Sequence, residues 1–337
     1  MNVKLILTLF ISLFLVSFPV SAGGPPMKVI VDTDCDMDDM MAILYLLKAK
    51  NVEVLAITTT GDGMAQWKYT APNILNLLQL AHHPKIPVSY GAKVSLSPYS
   101  DFPQVWRNGV NDVFNIPMPK NPNPPSPLPS WKLMVETIKN SEEKVTILAL
   151  APMTNIALAF QNDPSIAENI EAVVISGGAV NFTGNIVGKP NGYTNKCSEY
   201  NIFLDVKAAQ EVIASGVPIV LVPLNATQDA PINDAIYQKF KNEKRNSSAN
   251  FVYQVITPFV ATQKNTNVYF WDPVAAMVMT TPSIGEYKMI KLSLNSKEGP
   301  TYGCFSKSRS GYPVNVCLSI NPNSFYKTFY QTISQGQ

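Results

Sequence analysis

Charge is scarce in this chain. Lys, Arg, Asp and Glu together make up 15% of its 337 residues, the formal net charge is +2, and no basic block or Arg-rich stripe occurs. That balance excludes nucleic acid as the implied partner. Histidine is scarcer still: the two present, His82 and His83, stand side by side in the turn LAHHPKIP, where a surface role is expected. Cysteine is limited to Cys35, Cys197, Cys304 and Cys317, whose spacings match no zinc pattern. Beyond the N-terminal stretch no segment is long and apolar enough to cross a bilayer. Neither an internal repeat nor a domain boundary is visible, so one domain is expected over residues 23–337.

The first 22 residues stand apart. MNVKLILTLFISLFLVSFPVSA has one lysine, an apolar run from Leu5 to Val16 and small residues at the end, the pattern of a secretory signal cleaved after Ala22. The mature chain is therefore expected to be secreted or periplasmic and free of the membrane. In that setting Cys304 and Cys317 are expected to pair across CFSKSRSGYPVNVC, two short strands around a Gly–Tyr–Pro turn, with Cys35 free. Sequons occur at Asn181, Asn225 and Asn246, the last in KNEKRNSSAN and expected to be the most exposed.

Short β-branched runs alternate with helical ones. KVIVD (28–32), VEVLAITTT (52–60), KVTILAL (144–150), EAVVISGGA (171–179) and VPIVLVPL (217–224) read as strands. DDMMAILYLLKAK (38–50) reads as a helix, with acids in its first turn and lysines in its last. The alternation predicts an α/β fold: an open, mostly parallel Rossmann-like sheet with helices on both faces. Ligands bind outside the carboxyl ends of strands in such sheets. The segment IPMPKNPNPPSPLPS (116–130), with seven prolines in fifteen residues, must be an extended loop.

Against the general poverty of charge, one stretch stands out. KVIVDTDCDMDDMMAILYLL places Asp32, Asp34, Asp36, Asp38 and Asp39 within eight positions, directly after a buried strand. Carboxylates this close raise one another's pKa and repel unless something neutralises them. An EF-hand loop is ruled out, because its sixth position is Met37 where Gly is needed and its twelfth is Ile43 where Glu is needed. An aspartyl nucleophile with magnesium could use Asp32 and Asp34 but leaves Asp38 and Asp39 as surplus. Convergence on one hard cation, with one carboxylate taking a proton from a water that the cation acidifies, uses them all. A solvated acidic helix start is the bland alternative.

VIVDTDCDMDD closely resembles the DxDxxxDD signature of the nucleoside hydrolases, calcium-dependent N-ribohydrolases. Further segments resemble family motifs in the same order over roughly residues 27–280: AITTTGDG (56–63), LAPMTNIALAF (150–160), ISGGAV with SEYNIFLD (175–205) and FWDPVAA (270–276). The resemblance implies that Asp34 binds Ca2+ and acts as general base on the attacking water. It implies that Asp39, Asp272 and the Leu150 carbonyl complete the metal set, and that Asp38, Asn185, Glu199 and Asn201 hold the ribose hydroxyls. Asp32 would support the centre from behind, and Asp62 would lie near the sugar. Ser176 replaces a methionine common before GGA, and Asp36 has no assigned role and is expected to face solvent.

Family members of broad or pyrimidine preference resemble one another in carrying a histidine near the last aspartate, and this chain has Trp271 there. With Trp106 in DFPQVWRNGVNDVFNIP, the pattern resembles the purine-specific, inosine–adenosine–guanosine-preferring subgroup, in which two tryptophans stack on the base. Ring faces attract positive charge, which favours a protonated purine leaving group. Trp67 and Trp131 are expected to be core or rim aromatics. The expected function is thus a secreted purine nucleosidase acting on inosine, adenosine or guanosine, as a homo-oligomer by the family's habit. A secreted, non-catalytic nucleoside- or calcium-binding protein and a magnesium-dependent phosphatase are the rivals. For the phosphatase no lysine-plus-acid set is evident.

Overall fold

β-Branched residues dominate the runs that form the central sheet, and their alternation places successive side chains on opposite faces. In the computed structural model, which describes residues 24–97, 102–243, 246–261 and 268–336, nine strands form one sheet. They are β1 (Met27–Thr33), β2 (Val52–Thr59), β3 (Val88–Tyr90), β4 (Val145–Ala149), β5 (Ile170–Ser176), β6 (Ile219–Val222), β7 (Gly285–Leu294), β8 (Phe305–Lys307) and β9 (Tyr312–Ile320). The helices are α1 (Met37–Lys48), α2 (Trp67–Leu80), α3 (Gln104–Asn111), α4 (Ser130–Asn140), α5 (Thr154–Asn162), α6 (Tyr200–Leu204), α7 (Val206–Ala214), α8 (Leu224–Thr227), α9 (Asp234–Glu243), α10 (Ser247–Ala261), α11 (Trp271–Thr280) and α12 (Pro322–Ser334). The residues expected to form a signal, 1–22, lie outside those described.

The strand order is β3-β2-β1-β4-β5-β6-β9-β7-β8. Seven strands pair in parallel, and β7 runs against β9 and β8. Val29 and Val31 enter the layer built by α1, α2, α10, α11 and α12, while Ile30 enters the layer of α4, α5 and α7. The open, mostly parallel sheet covered on both faces is as expected. The proline-rich stretch is irregular up to Pro129, after which Ser130 opens α4. The strand order reverses beside β1, which pairs with β2 on one side and β4 on the other. A crevice opens at such a switch point, beyond the carboxyl ends of the strands. Among the described residues no helix is long and apolar enough to cross a membrane.

Two expectations are corrected. The disulfide joins Cys197 to Cys304, while Cys317 is free and buried, as is Cys35. The segment 304–317 does contain two strands, but both pair with β7, which lies between them, so Cys304, just before β8, is separated from Cys317 in β9. Asn246 is not the most exposed sequon: its side chain bonds the carbonyls of Ile333 and Gln335 and accepts from the Ala249 amide. Asn181 is the exposed one, and Asn225 is tied by two bonds to the Val180 backbone.

The C-terminal helix docks through Phe329, fully buried against the rings of Tyr45, Phe240, Phe270 and Phe325. Phe329→Ala is expected to lower the unfolding free energy by about 3–5 kcal/mol in a urea titration. A loss below ~1 kcal/mol would mean that α12 carries little of the fold.

Candidate active site

The chain leaves β1 and enters α1 within three residues, through Cys35 in the left-handed region at φ 66°. That turn brings the aspartates to the crevice. Asp36 caps α1, accepting from the Met37 amide at 2.7 Å, and borders the cavity instead of facing solvent as expected. Asp38 and Asp39 lie in the first turn of α1, where the helix dipole favours negative charge. Asp272 reaches the same place from the first turn of α11, which packs against α1.

A cavity of about 290 Å³ is bordered by six carboxylates, Asp34, Asp36, Asp38, Asp39, Glu199 and Asp272, and by no lysine, arginine or histidine among the described residues. Ligand oxygens of Asp38, Asp39 and Asp272 lie within 4.8 Å of one another. Asp34 faces the same cavity, but its Oδ2 accepts from the Met64 amide at 2.8 Å. Gly63 is packed against this carboxylate so closely that a Cβ there would stand 2.1 Å from Oδ2. Asp39 Oδ1 accepts from the Thr33 hydroxyl and from the Asp34 amide.

Burial dominates the electrostatics. It pushes the carboxyls of Asp34, Asp38 and Asp39 well above the usual range, and the charges of neighbouring carboxylates push the same way. Burial likewise raises Asp272 to about 7 and Asp36 to about 6. Oxygen-only donors converging without a counter-charge fit a hard divalent cation. Asp39 and Asp272 belong to both the expected metal set and the observed trio. Leu150 also borders the cavity, its carbonyl 3.0 Å from the Asn201 side-chain nitrogen.

Of the residues expected to bind ribose, Asp38 stands in the carboxylate trio, while Asn185, Glu199 and Asn201 border the same cavity from the segment after β5 and from α6. Glu199 caps α6, accepting from the amides of Gly178, Asn201 and Ile202, and burial raises its pKa. Asn201 Nδ2 donates to the carbonyls of Leu150 and Ser176, and Asn185 Oδ1 accepts from the Tyr200 amide. Trp106 and Trp271 both border the cavity. Trp67 instead stacks on Tyr90, Trp131 packs half-buried in the core, and both histidines are exposed, as expected.

Several contributors were not foreseen. Phe102 and Tyr200 stack at 4.3 Å and meet Trp106 edgewise or tilted, so an aromatic corner lines the cavity. The buried Arg107 guanidinium donates to the carbonyls of Gly61, Met64 and Ala65, tying α3 to the loop that holds Asp34. Ser176 also borders the cavity, near enough to Asp272 to draw its pKa down against the effect of burial. An aromatic beside each expected motif residue was the available signal for Phe102 and Tyr200. For Arg107 nothing in the sequence pointed to these carbonyls.

The chain belongs to the nucleoside hydrolase family. The family model described as inosine-uridine preferring nucleoside hydrolase matches residues 29–327. Uridine nucleosidase 1 of Arabidopsis thaliana is 31% identical over 273 residues, covering 79% of this chain and 77% of that protein. The pyrimidine-specific ribonucleoside hydrolase RihA of Salmonella paratyphi A is 31% identical over 218 residues, covering 64% and 66%. Among solved structures, the plant nucleoside hydrolase PpNRh1 shares the fold with a TM-score of 0.81 at 24% identity, over 93% of this chain and 100% of that one. The purine-preferring ribonucleoside hydrolase from Gardnerella vaginalis does so with a TM-score of 0.79 at 23% identity, over 91% and 98%. This family member is a hydrolase of nucleoside N-glycosidic bonds.

Two expected residues stand behind the cavity. Asp32 Oδ1 accepts from Thr58 and Asn155 while Oδ2 has no partner, and burial raises the group to about 7. Asp62 does not border the cavity. The Thr154 hydroxyl lies 2.5 Å from Asp62 Oδ2 and 2.6 Å from Asp205 Oδ2, yet it carries one proton. Asp205 also accepts from Leu96, Ser97 and Ala208. The extra proton therefore belongs on Asp62, raised to about 6 by burial and by the charge of Asp205. An acid with a raised folded pKa contributes stability that is full below its unfolded value of 3.8 and is lost as pH rises through about 6. Tm is expected to fall by a few degrees between about pH 5 and pH 7.5, and less steeply in Asp62→Asn. Equal slopes would assign the proton elsewhere, Asp205, Asp34 and Asp32 being the other acids of this network.

Proposed function

We propose that the protein is an exported purine nucleosidase that uses Ca2+ and releases free base and ribose. What carries the reading is one observation: two tryptophans and six carboxylates border a single cavity that no described histidine reaches. Asp34, Asp39, Asp272 and the Leu150 carbonyl would hold the cation, which when bound neutralises the carboxylates and acidifies water. Asp34 takes the proton of the water that attacks C1′, its Oδ2 being fixed by the Met64 amide. Asp38, Asn185, Glu199 and Asn201 grip the ribose hydroxyls, bonds that strengthen as C1′ gains oxocarbenium character. Trp106 and Trp271 stack on the purine, and their ring faces favour its protonation as it departs.

Export rests on the N-terminal signal pattern, and the Cys197–Cys304 disulfide suits an oxidising compartment. A pyrimidine preference is the second reading, favoured by the names of the plant and bacterial relatives.

The test is base release from inosine, adenosine, guanosine, uridine and cytidine by the mature protein. Purine-selective turnover is expected, abolished by chelation and restored by calcium. Asp34→Ala should lower kcat by about 10³-fold or more, and Trp271→Ala should lower purine kcat/KM by about tenfold. Equal or faster uridine turnover would overturn the purine assignment and keep the hydrolase.

A further inference from the structure

The wall that carries Asn185 and Glu199 is the segment between β5 and α6, which beyond one short turn at 190–192 has no regular structure. Its two limbs are held to each other: the Gly184 amide donates to the Lys196 carbonyl at 2.7 Å and the Asn185 amide to the Ser198 carbonyl at 3.1 Å. A Cβ at Gly184 would stand 2.0 Å from the Ser198 carbonyl oxygen, so the limbs cannot shift apart or slide without losing this fit. Ile186 of this paired segment packs against the core, and its second limb, residues 195–198, is held by the β7–β8 connection.

Three bonds make that attachment. Cys197 is joined to Cys304 by the disulfide, Asn195 Nδ2 donates to the Tyr302 carbonyl at 2.7 Å, and the Ser198 hydroxyl donates to the Gly303 carbonyl at 3.0 Å. Gly303, at φ 74°, lets the connection come this close, since a Cβ there would meet Ser198 Oγ at 2.5 Å. The connection is itself closed on its base, Gly303 donating to the Asn295 carbonyl and Asn295 to that of Cys304. Cys197 is two residues from Glu199, so a displacement at the disulfide is delivered directly to the N-cap of α6. Cys197 is half-exposed, and both cysteines border a surface groove of about 760 Å³, which gives a reductant access.

We propose that the Cys197–Cys304 disulfide is a positioning bond for the sugar-binding wall, and that opening it with a dithiol weakens nucleoside binding while leaving the carboxylate centre intact. The proposal rests on the reading of Asn185 and Glu199 as ribose ligands. Two electrons and two protons pass from the dithiol, which closes to its own disulfide, and Cys197 and Cys304 become thiols. The aspartates of α1 and α11 stand on elements packed in the helical layer and do not depend on this connection. The two hydrogen bonds from Asn195 and Ser198 remain after reduction, but each is weak enough to open with local motion.

The experiment compares the oxidised mature protein, the same protein in dithiothreitol and the Cys197→Ser/Cys304→Ser double variant, all at saturating calcium. Thiol titration of the native reduced protein should count two reactive groups, because Cys35 and Cys317 are buried. KM for the best nucleoside is expected to rise about tenfold, with kcat changed by less than about threefold. The double variant should match the reduced protein and ignore dithiothreitol. Amide exchange over residues 184–201 should quicken on reduction while that of α1 does not. An unchanged KM with two thiols titrated, or a fall in kcat at constant KM, would overturn the proposal, since the second is the mark of a smaller active fraction. If no nucleoside is hydrolysed even when oxidised, the functional reading fails. The exchange comparison then still decides whether the disulfide holds this wall.

Discussion

Mutual repulsion among buried carboxylates is the constraint on which the rest of this structure depends. Six of them border one cavity with no described cationic side chain to balance them, in a chain where acids and bases are otherwise sparse. A single isolated carboxylate in such a place would simply take up a proton. A converging group of them is the reverse case, because a hard cation gains most where several oxygens can reach it at once. The helix dipole of α1 and the backbone amides of Asp34, Met37 and Met64 reduce the cost of gathering the charges, and the proposed cation offsets the remainder.

The architecture supplies the rigidity that this gathering needs. β1 lies in the middle of a parallel sheet, buried on both faces, and ends at the point where strand order reverses. Loops leaving β1, β2, β4 and β5 therefore meet at one rim. The loop after β2 is fixed from three directions: by Gly63 against Asp34, by Arg107 on its carbonyls, and by Asp62 in the Thr154–Asp205 network. Gly63 and the Met64 amide act on the Asp34 carboxylate directly, and the other two contacts hold their loop from outside the cavity. The wall that carries Asn185 and Glu199 is built otherwise, from an irregular segment that packs Ile186 on the core and is joined through the Cys197–Cys304 disulfide to the connection before β8.

Much of this was legible in the residues. A β-branched run followed by an amphipathic helix marks a strand–helix unit, and five aspartates at their junction had to lie at the carboxyl end of a buried strand. Asp272, Glu199 and Asn201 were found through motifs separated from that junction by well over a hundred residues, and all border the same cavity. Where sequence reasoning went astray, it had relied on nearness along the chain. Cys304 and Cys317 are thirteen positions apart, but β7 lies between β8, which Cys304 precedes, and β9, which holds Cys317, while Cys304 meets Cys197 across 107 residues. Asn246 sits in a polar stretch, yet its side chain bonds the end of α12.

The sequence by itself determined the layer architecture and the place of the acidic cluster, because periodicity and local propensity act over a few residues and are written in consecutive letters; the groups expected around it came from the resemblance to the family's motifs. Tertiary structure alone decided which cysteines pair, that Asp36 turns toward the cavity, that Arg107 serves the loop beneath Asp34, and that Asp62 and Asp205 meet at one Thr154 hydroxyl. Each of those depends on a distance between segments far apart in the chain, and such distances exist only once the sheet has set the order of its strands.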